Sequence, residues 1–211
     1  MDLINIVSRW SHLLFGIAWI GILYYFNFIQ GGYFKAATPE GLADAKAKLA
    51  PSALWWFRWA AMFTFITGLI LLAGVIMSSQ LNSYIVMGAT LGTLMFLNVW
   101  LVIWPNQKIA LGMVEGDGPA AAGKALLASR TNVLFSGPMA FGMLGGAHFA
   151  GSGVGYGSAL GTGLWVTLAI IAALEINALK GKQGPMTTVN GVIGSSVVLT
   201  VIMVAALILI K

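Results

Sequence analysis

Residues Ser8–Gln30 read SRWSHLLFGIAWIGILYYFNFIQ, and this segment decides the class of fold. It is apolar over most of its length, has the spacing of a helix, and carries His12, one of the two histidines in the chain. An apolar run of about 20 residues is long enough for an α-helix to cross the hydrocarbon core of a bilayer. We therefore interpret this segment as the first span of a membrane protein.

The composition of the whole chain agrees with that interpretation. Of its 211 residues, 59% are hydrophobic and only 8% are charged, and the mean hydropathy is +0.90. Soluble domains carry about 25% charged residues, so a soluble fold of this size could not cover its surface. Backbone groups in lipid must be satisfied within each span, which favours helices, and no long stretch alternates with the period of a barrel strand.

The apolar runs predict one all-α domain over residues 1–211, a polytopic bundle of about six transmembrane helices. The expected spans are Ile4–Ile29, Ala53–Met77, Tyr84–Trp104, Thr131–Ala150, Leu164–Leu179 and Val189–Ile210.

The connections between these spans are predicted from their turn residues. The loop Gly31–Pro51 should contain a short amphipathic helix that begins at Pro39. Pro105 is expected to end the third span. A surface helix is expected at Ala120–Ser129, and Gly151–Gly163 is a segment rich in Gly and Ser.

Lysine and arginine are distributed unevenly, which predicts the orientation of the bundle. The loops after the odd-numbered spans hold nearly all of them, whereas the other side holds only Arg9 and Lys211. Both termini should therefore lie on the outer, periplasmic side of a bacterial inner membrane. The start of the chain lacks a basic region and a small-residue cleavage site, so we expect the first span to be retained. The net charge of +5 is then a topology signal and not a sign of nucleic-acid binding.

Two histidines are the principal candidates for cofactor binding. The predicted topology places His12 and His148 in the same leaflet, and an ionisable residue within a span indicates function by default. The chain has no cysteine, which excludes disulfides, thiolate metal sites and covalent haem attachment. Imidazoles of the two histidines are therefore the natural ligands for the iron of a haem b, with copper as the alternative metal.

Neighbouring residues fit a haem site. Gly16 lies one turn from His12 on the same helix face, and Gly145 lies three residues before His148, so each leaves room for a flat macrocycle. Arg9 lies on the face of His12 and is positioned to pair with a haem propionate. Each of these residues also has an ordinary structural interpretation. The histidines could lie at the interface or join two helices, the glycines could serve close helix packing, and Arg9 could be a headgroup anchor.

Other polar residues have alternative interpretations. Arg58, within WWFRW, is either a headgroup anchor or an anion-binding or partner-binding residue. Glu175 is expected to pair with Lys180 or to lie at the surface, and a role in a proton relay is the alternative. Pro138 should kink the fourth span and free backbone carbonyls. Several polar residues are expected to hydrogen-bond between helices: Thr64, Thr67, Asn98, Ser195, Ser196 and Thr200.

Four stretches resemble the membrane domain of bacterial membrane-bound urate hydroxylases, the urate oxidase N-terminal domain family. The most specific parts are the turn WPNQK at Trp104–Lys108 and the sequences around the two histidines. In chain order the stretches are Arg9–Gln30, Trp55–Gly68, Asn98–Lys108 and Ser129–Phe149.

In that family the membrane domain is joined to a cytochrome c domain, and it is proposed to oxidise urate and pass electrons to the c-type haem. We expect this chain to lack the cytochrome c domain. The matching motifs imply these candidate functional positions: His12, Arg58, Asn106, Gln107, Lys108, Arg130, Asn132 and His148.

Together the residues and the resemblance predict an integral membrane redox protein. It would bind haem b between spans 1 and 4 and exchange electrons with a periplasmic c-type cytochrome or a partner complex. One alternative is a non-catalytic subunit of a larger membrane complex, as a homo- or hetero-oligomer. A further alternative is a urate-oxidising membrane enzyme, a membrane oxidoreductase. The residues that would carry catalysis are not identified by the sequence.

Overall fold

The computed structural model describes residues 3–149 and 161–210, and within these ranges it contains helices and no strand. A 3₁₀ turn, Gly184–Thr187, precedes the last helix. The predicted all-α bundle is confirmed. Its six long helices are α1 (Leu3–Ala36), α2 (Pro39–Met77), α3 (Ser83–Ala110), α4 (Gly118–His148), α5 (Thr162–Lys180) and α6 (Val189–Leu209).

Five of these helices, all except α4, are long and apolar enough to cross a membrane. Large apolar side chains are exposed along them, as expected of a surface that faces lipid. The chain is therefore a multi-pass membrane protein.

Helix α4 has 31 residues and lies at the centre of the bundle, where it contacts α1, α3, α5 and α6. Because other helices surround it, it can carry small and polar residues that a lipid-facing helix would expose. Buried polar residues accordingly concentrate on it: Ser129, Arg130, Thr131, Asn132 and Ser136.

The predicted loop Gly31–Pro51 is wrong in extent. Helix α1 continues to Ala36, and α2 begins at Pro39 after a link of residues 37–38. The side chain of Thr38 caps α2 by accepting a hydrogen bond from the backbone of Gly41. The expected amphipathic helix is thus the first turns of α2, since a helix can run beyond the hydrocarbon core without ending.

Helix α3 also passes a residue that was expected to end it. Pro105 lies at the second position of the α-helical segment Trp104–Ala110, directly after a π-helical turn at Asn98–Ile103. A proline in a helix meets the carbonyl group four residues earlier, here that of Leu101. Leu101 lies inside the π turn, where hydrogen bonds run five residues instead of four, and this lets the helix continue.

The predicted surface helix Ala120–Ser129 is likewise part of a longer helix. Asp117 caps α4 by accepting a hydrogen bond from Ala120 N at 3.0 Å, and the helix runs unbroken to His148. The expected span Thr131–Ala150 is therefore only its second half, and its last residue lies outside the described residues. The segment Gly151–Gly163 also falls mostly outside them.

Pro138 lies inside α4, and it frees a carbonyl as predicted. The carbonyl four residues earlier belongs to Leu134, and Ser196 Oγ of α6 donates to it at 3.0 Å. The same hydroxyl oxygen accepts from Gly137 N at 3.3 Å. Ser196 therefore satisfies the backbone that Pro138 disrupts and joins α6 to α4.

Glycines allow α3 and α4 to cross closely. A Cβ atom on Gly142 would lie 2.7 Å from the carbonyl oxygen of Tyr84 and 2.9 Å from the Cα of Gly88. Neither position has room for a larger side chain, and such close packing of small residues is typical of helices in membranes.

Candidate functional site

A cavity of about 580 Å³ lies between the first four helices. Its walls are almost wholly apolar or glycine, and among the described residues that line it His12 is the one ionisable side chain apart from the phenol of Tyr24. Cavities of this size are typical of sites that hold a cofactor or a small ligand. The structure therefore has room for a ligand between spans 1 and 4, where the sequence predicts the haem.

His12 is held by α2 through one ring nitrogen. Its Nδ1 lies 2.9 Å from the carbonyl oxygen of Thr64 and 3.2 Å from Thr67 Oγ1. A carbonyl oxygen can only accept, so Nδ1 carries the hydrogen. The Thr67 hydroxyl donates its own hydrogen to Phe63 O at 2.7 Å, which leaves its oxygen to accept from His12.

This hydrogen bonding fixes the tautomer of His12. In a neutral imidazole that is protonated at Nδ1, the other nitrogen, Nε2, has a free lone pair. Within the described residues, Nε2 of His12 has no hydrogen-bond partner. A histidine that donates through one nitrogen to a backbone carbonyl and leaves the other free is in the usual state of a metal ligand.

Glycines make the room that His12 occupies. A Cβ atom on Gly68 would lie 3.1 Å from His12 Cε1, so the ring packs directly on the backbone of α2. Gly16 lines the cavity one turn from His12, as predicted, and Gly92 lines it from α3. These positions keep the cavity open where side chains would fill it.

The other predicted cofactor residues lie elsewhere. His148 is exposed at the end of α4 and is absent from the cavity wall. Gly145 packs against Tyr84, whose Cδ1 would lie 3.1 Å from an added Cβ. Arg9 is exposed, and its Nε donates to Asn5 Oδ1 at 2.6 Å. Of the five predicted residues, the structure thus brings only His12 and Gly16 together at the cavity.

A buried polar cluster lies between α3, α4 and α5. Asn98 Nδ2 donates to Asn132 Oδ1 at 3.0 Å and to Glu175 Oε2 at 3.1 Å. Asn132 Nδ2 donates to Met95 O at 2.9 Å. The expectation that Glu175 pairs with Lys180 or lies at the surface is wrong, because its carboxylate is partly buried and bonded to Asn98 in the π turn of α3.

Arg58 lies on an aromatic surface. Its Cζ is 3.4 Å from the ring centroid of Trp104, and Lys108 Nζ is 5.5 Å from the same ring. Trp100 of the next helix packs edge-on against Trp59 at 5.8 Å. Among the described residues, Nε and Nη1 of Arg58 have no hydrogen-bond acceptor although both atoms are buried.

Three other positions that the family resemblance implies are Asn106, Arg130 and Gln107. The first two have hydrogen-bond partners among the described residues. Asn106 Nδ2 donates to Val102 O of its own helix at 2.7 Å. Arg130 is buried, and its Nη1 donates to Thr188 O at 3.4 Å. Gln107 is partly buried near Lys108 on α3. None of these residues lines the His12 cavity.

Sequence reasoning missed three contributors to the site. Thr64 and Thr67 were expected to bond between helices, but not to His12. Met139 of α4 also lines the cavity. The adjacent Pro138 is the one feature of its local sequence that could have pointed to it. Within residues 3–149 and 161–210, no group of three or more His, Asp or Glu side chains is clustered as a metal site would require.

Comparison with known proteins gives one match. No curated protein and no solved structure matches the chain. The family described as urate oxidase N-terminal matches residues 74–208, more than half of the chain. Two of the four stretches that suggested the resemblance, Asn98–Lys108 and Ser129–Phe149, lie within the match. The chain therefore belongs to the urate oxidase N-terminal family.

Proposed function

We propose that the protein is an integral membrane redox protein whose cavity between α1 and α4 would hold haem b, with His12 as the residue that would bind the iron. The observation that carries the proposal is the state of His12: Nδ1 donates to Thr64 O at 2.9 Å, and Nε2 is free beside a cavity of about 580 Å³. A ligated haem supplies one-electron chemistry to the site.

The residues present fit a haem. The walls are apolar, as the body of a macrocycle requires, and Gly16, Gly68 and Gly92 leave flat faces beside them. The hydrogen bond to Thr64 O orients the imidazole and raises its basicity, as a carbonyl acceptor commonly does for a histidine that binds a metal. A histidine that served only to hydrogen-bond between two helices would need neither the cavity nor the glycines beside it.

Electron exchange with a periplasmic c-type cytochrome is part of the proposal. It is supported by the excess of Lys and Arg at the other end of the bundle, which favours an outer position for the start of α1. The end of the bundle that carries His12 would then face the compartment of such carriers. The location in a bacterial inner membrane is proposed on the same ground.

The test is an absorbance spectrum of protein purified from haem-replete cells, with His12→Ala as the variant and His148→Ala beside it. Bound haem gives a Soret band, and a low-spin α band appears on reduction. We expect His12→Ala to lose these bands or to change the spin state of the iron. Wild-type protein without haem, or a spectrum unchanged by His12→Ala, would overturn the proposal.

A second candidate function is urate oxidation, and the Arg58 site favours it. Urate is a planar anion, and Arg58 has buried N–H groups without an acceptor among the described residues, beside the ring of Trp104. Membership of the family supports the same candidate. Urate with an added c-type cytochrome as oxidant should then give turnover that Arg58→Gln abolishes and Lys108→Gln only weakens. Absence of both turnover and urate binding would remove this candidate.

A further inference from the structure

We propose that the thioether of Met139 would be the second protein ligand of the iron at the His12 site. This inference rests on the proposed haem-binding function and replaces His148 as the partner of His12. Histidine and methionine together are an established ligand pair for a low-spin haem.

The donor atoms around the cavity narrow the choice. Apart from His12, its lining residues offer the neutral hydroxyls of Tyr24, Thr64 and Thr93 and the sulfur atoms of Met139 and Met143. Two of the hydroxyls are already engaged: Thr64 donates to Ala60 O at 2.7 Å, and Thr93 donates to Ala89 O at 2.8 Å. Tyr24 Oη lies 2.8 Å from Ser136 Oγ. The thioether sulfurs of Met139 and Met143 therefore remain as the soft donor atoms that could bind the iron.

Met139 is the better placed of the two methionines. It is partly buried, and its Cγ lies 3.9 Å from the position of a Cβ on Gly92, so it extends along the glycine surface of α3. Its backbone is fixed, because a Cβ on Gly88 would lie 3.2 Å from Met139 O. Met143 follows one turn later and is 36% exposed.

The ligand pair has a consequence for the redox potential. A methionine ligand in place of a second histidine stabilises the reduced iron and raises the reduction potential. The site would then suit electron transfer to an acceptor of high potential. In this proposal Met139 raises the reduction potential of the site, whereas His12 holds the cofactor.

The experiment compares Met139→Leu with the matched control Met143→Leu, which changes the same residue type one turn away in the same cavity. Both substitutions conserve volume, so folding should be kept. The readouts are the weak far-red charge-transfer band of methionine-ligated ferric haem and the midpoint potential. We expect Met139→Leu to lose the band and lower the potential, and Met143→Leu and His148→Ala to change neither.

The wild-type protein provides a second, variant-free measurement, because near-infrared magnetic circular dichroism separates His–Met from bis-His ligation. A bis-His signature, or loss of the band in Met143→Leu or His148→Ala but not in Met139→Leu, would overturn this inference and leave the haem proposal standing. Wild-type protein that binds no haem would overturn both. The two failures are therefore distinguishable.

Discussion

The carbonyl oxygen of Thr64 lies 2.9 Å from Nδ1 of His12, and it joins the first two helices at the proposed site. Thr67 Oγ1 lies 3.0 Å from the same carbonyl oxygen, but its hydrogen is donated to Phe63 O at 2.7 Å, so His12 is the side chain that donates to Thr64 O. One backbone atom thus fixes the ring orientation, the tautomer and the distance between α1 and α2.

Gly68→Ala should disturb His12 without touching any other part of the site. The new Cβ would lie 3.1 Å from His12 Cε1, which is closer than ordinary contact, so the ring must shift away from Thr64. We expect reduced haem content and a lower thermal unfolding temperature in detergent. The control is Gly74→Ala on the same helix, where a Cβ meets nothing within 4 Å. Equal effects of the two substitutions would contradict the packing described here.

Thr67→Val should raise the reduction potential of the proposed haem by a small amount. The valine removes the 3.2 Å contact to His12 Nδ1 and leaves the Thr64 carbonyl in place. A weaker hydrogen bond makes the imidazole less basic and the oxidised iron less stable. Thr93→Val is the control, because Thr93 lines the cavity but bonds to its own helix. A redox titration of both variants measures the effect, and an equal shift in the control would refute the role of Thr67.

Ser196→Ala should destabilise the bundle by about 1–3 kcal/mol, the usual effect of leaving a buried polar group without a partner. The substitution removes the donor to the Leu134 carbonyl that Pro138 frees. Ser195→Ala is its neighbour on α6 and should change the unfolding temperature little. If Ser196→Ala unfolds at the wild-type temperature, the carbonyl is satisfied in another way.

Asn132→Ala should be more damaging than most substitutions, since Asn132 is fully buried and bonds to both Asn98 and Met95. We expect a loss of roughly 1–3 kcal/mol, measured as reduced thermal stability in detergent. Exposed Asn190→Ala, on α6, is the matched control. Glu175→Gln should be tolerated, because its amide oxygen can still accept from Asn98, whereas Glu175→Leu should not. Equal stability of the Gln and Leu variants would exclude the Asn98 hydrogen bond as a stabilising contact.

The membrane fold could be predicted from the sequence because hydropathy alone separates lipid-facing helices from soluble ones. The bounds of α5 and α6 were predicted to within two residues. The end of α1, the start of α2, the end of α3 and the start of α4 were not, since hydropathy reports where the hydrocarbon ends and not where the helix ends. The prediction that Pro105 ends the third span was wrong for a related reason. The π turn that accommodates this proline depends on hydrogen-bond geometry that composition does not encode.

The site was predicted only in part. His12 could be found because an ionisable residue is conspicuous in an apolar span. The position of its ring could not, since it depends on how α2 packs at Thr64 and Gly68. Glu175 and Met139 show the same limit: sequence spacing gives their neighbours on one helix, but their contacts come from other helices.

Binding of haem through His12 is tested most directly by absorbance spectra, oxidised and dithionite-reduced, of wild-type protein and His12→Ala purified side by side from haem-replete cells. We expect a Soret band and a low-spin α band in the wild type, with the bands lost or converted to a high-spin form in the variant. A colourless wild-type protein, or a variant whose spectra match the wild type, would contradict it.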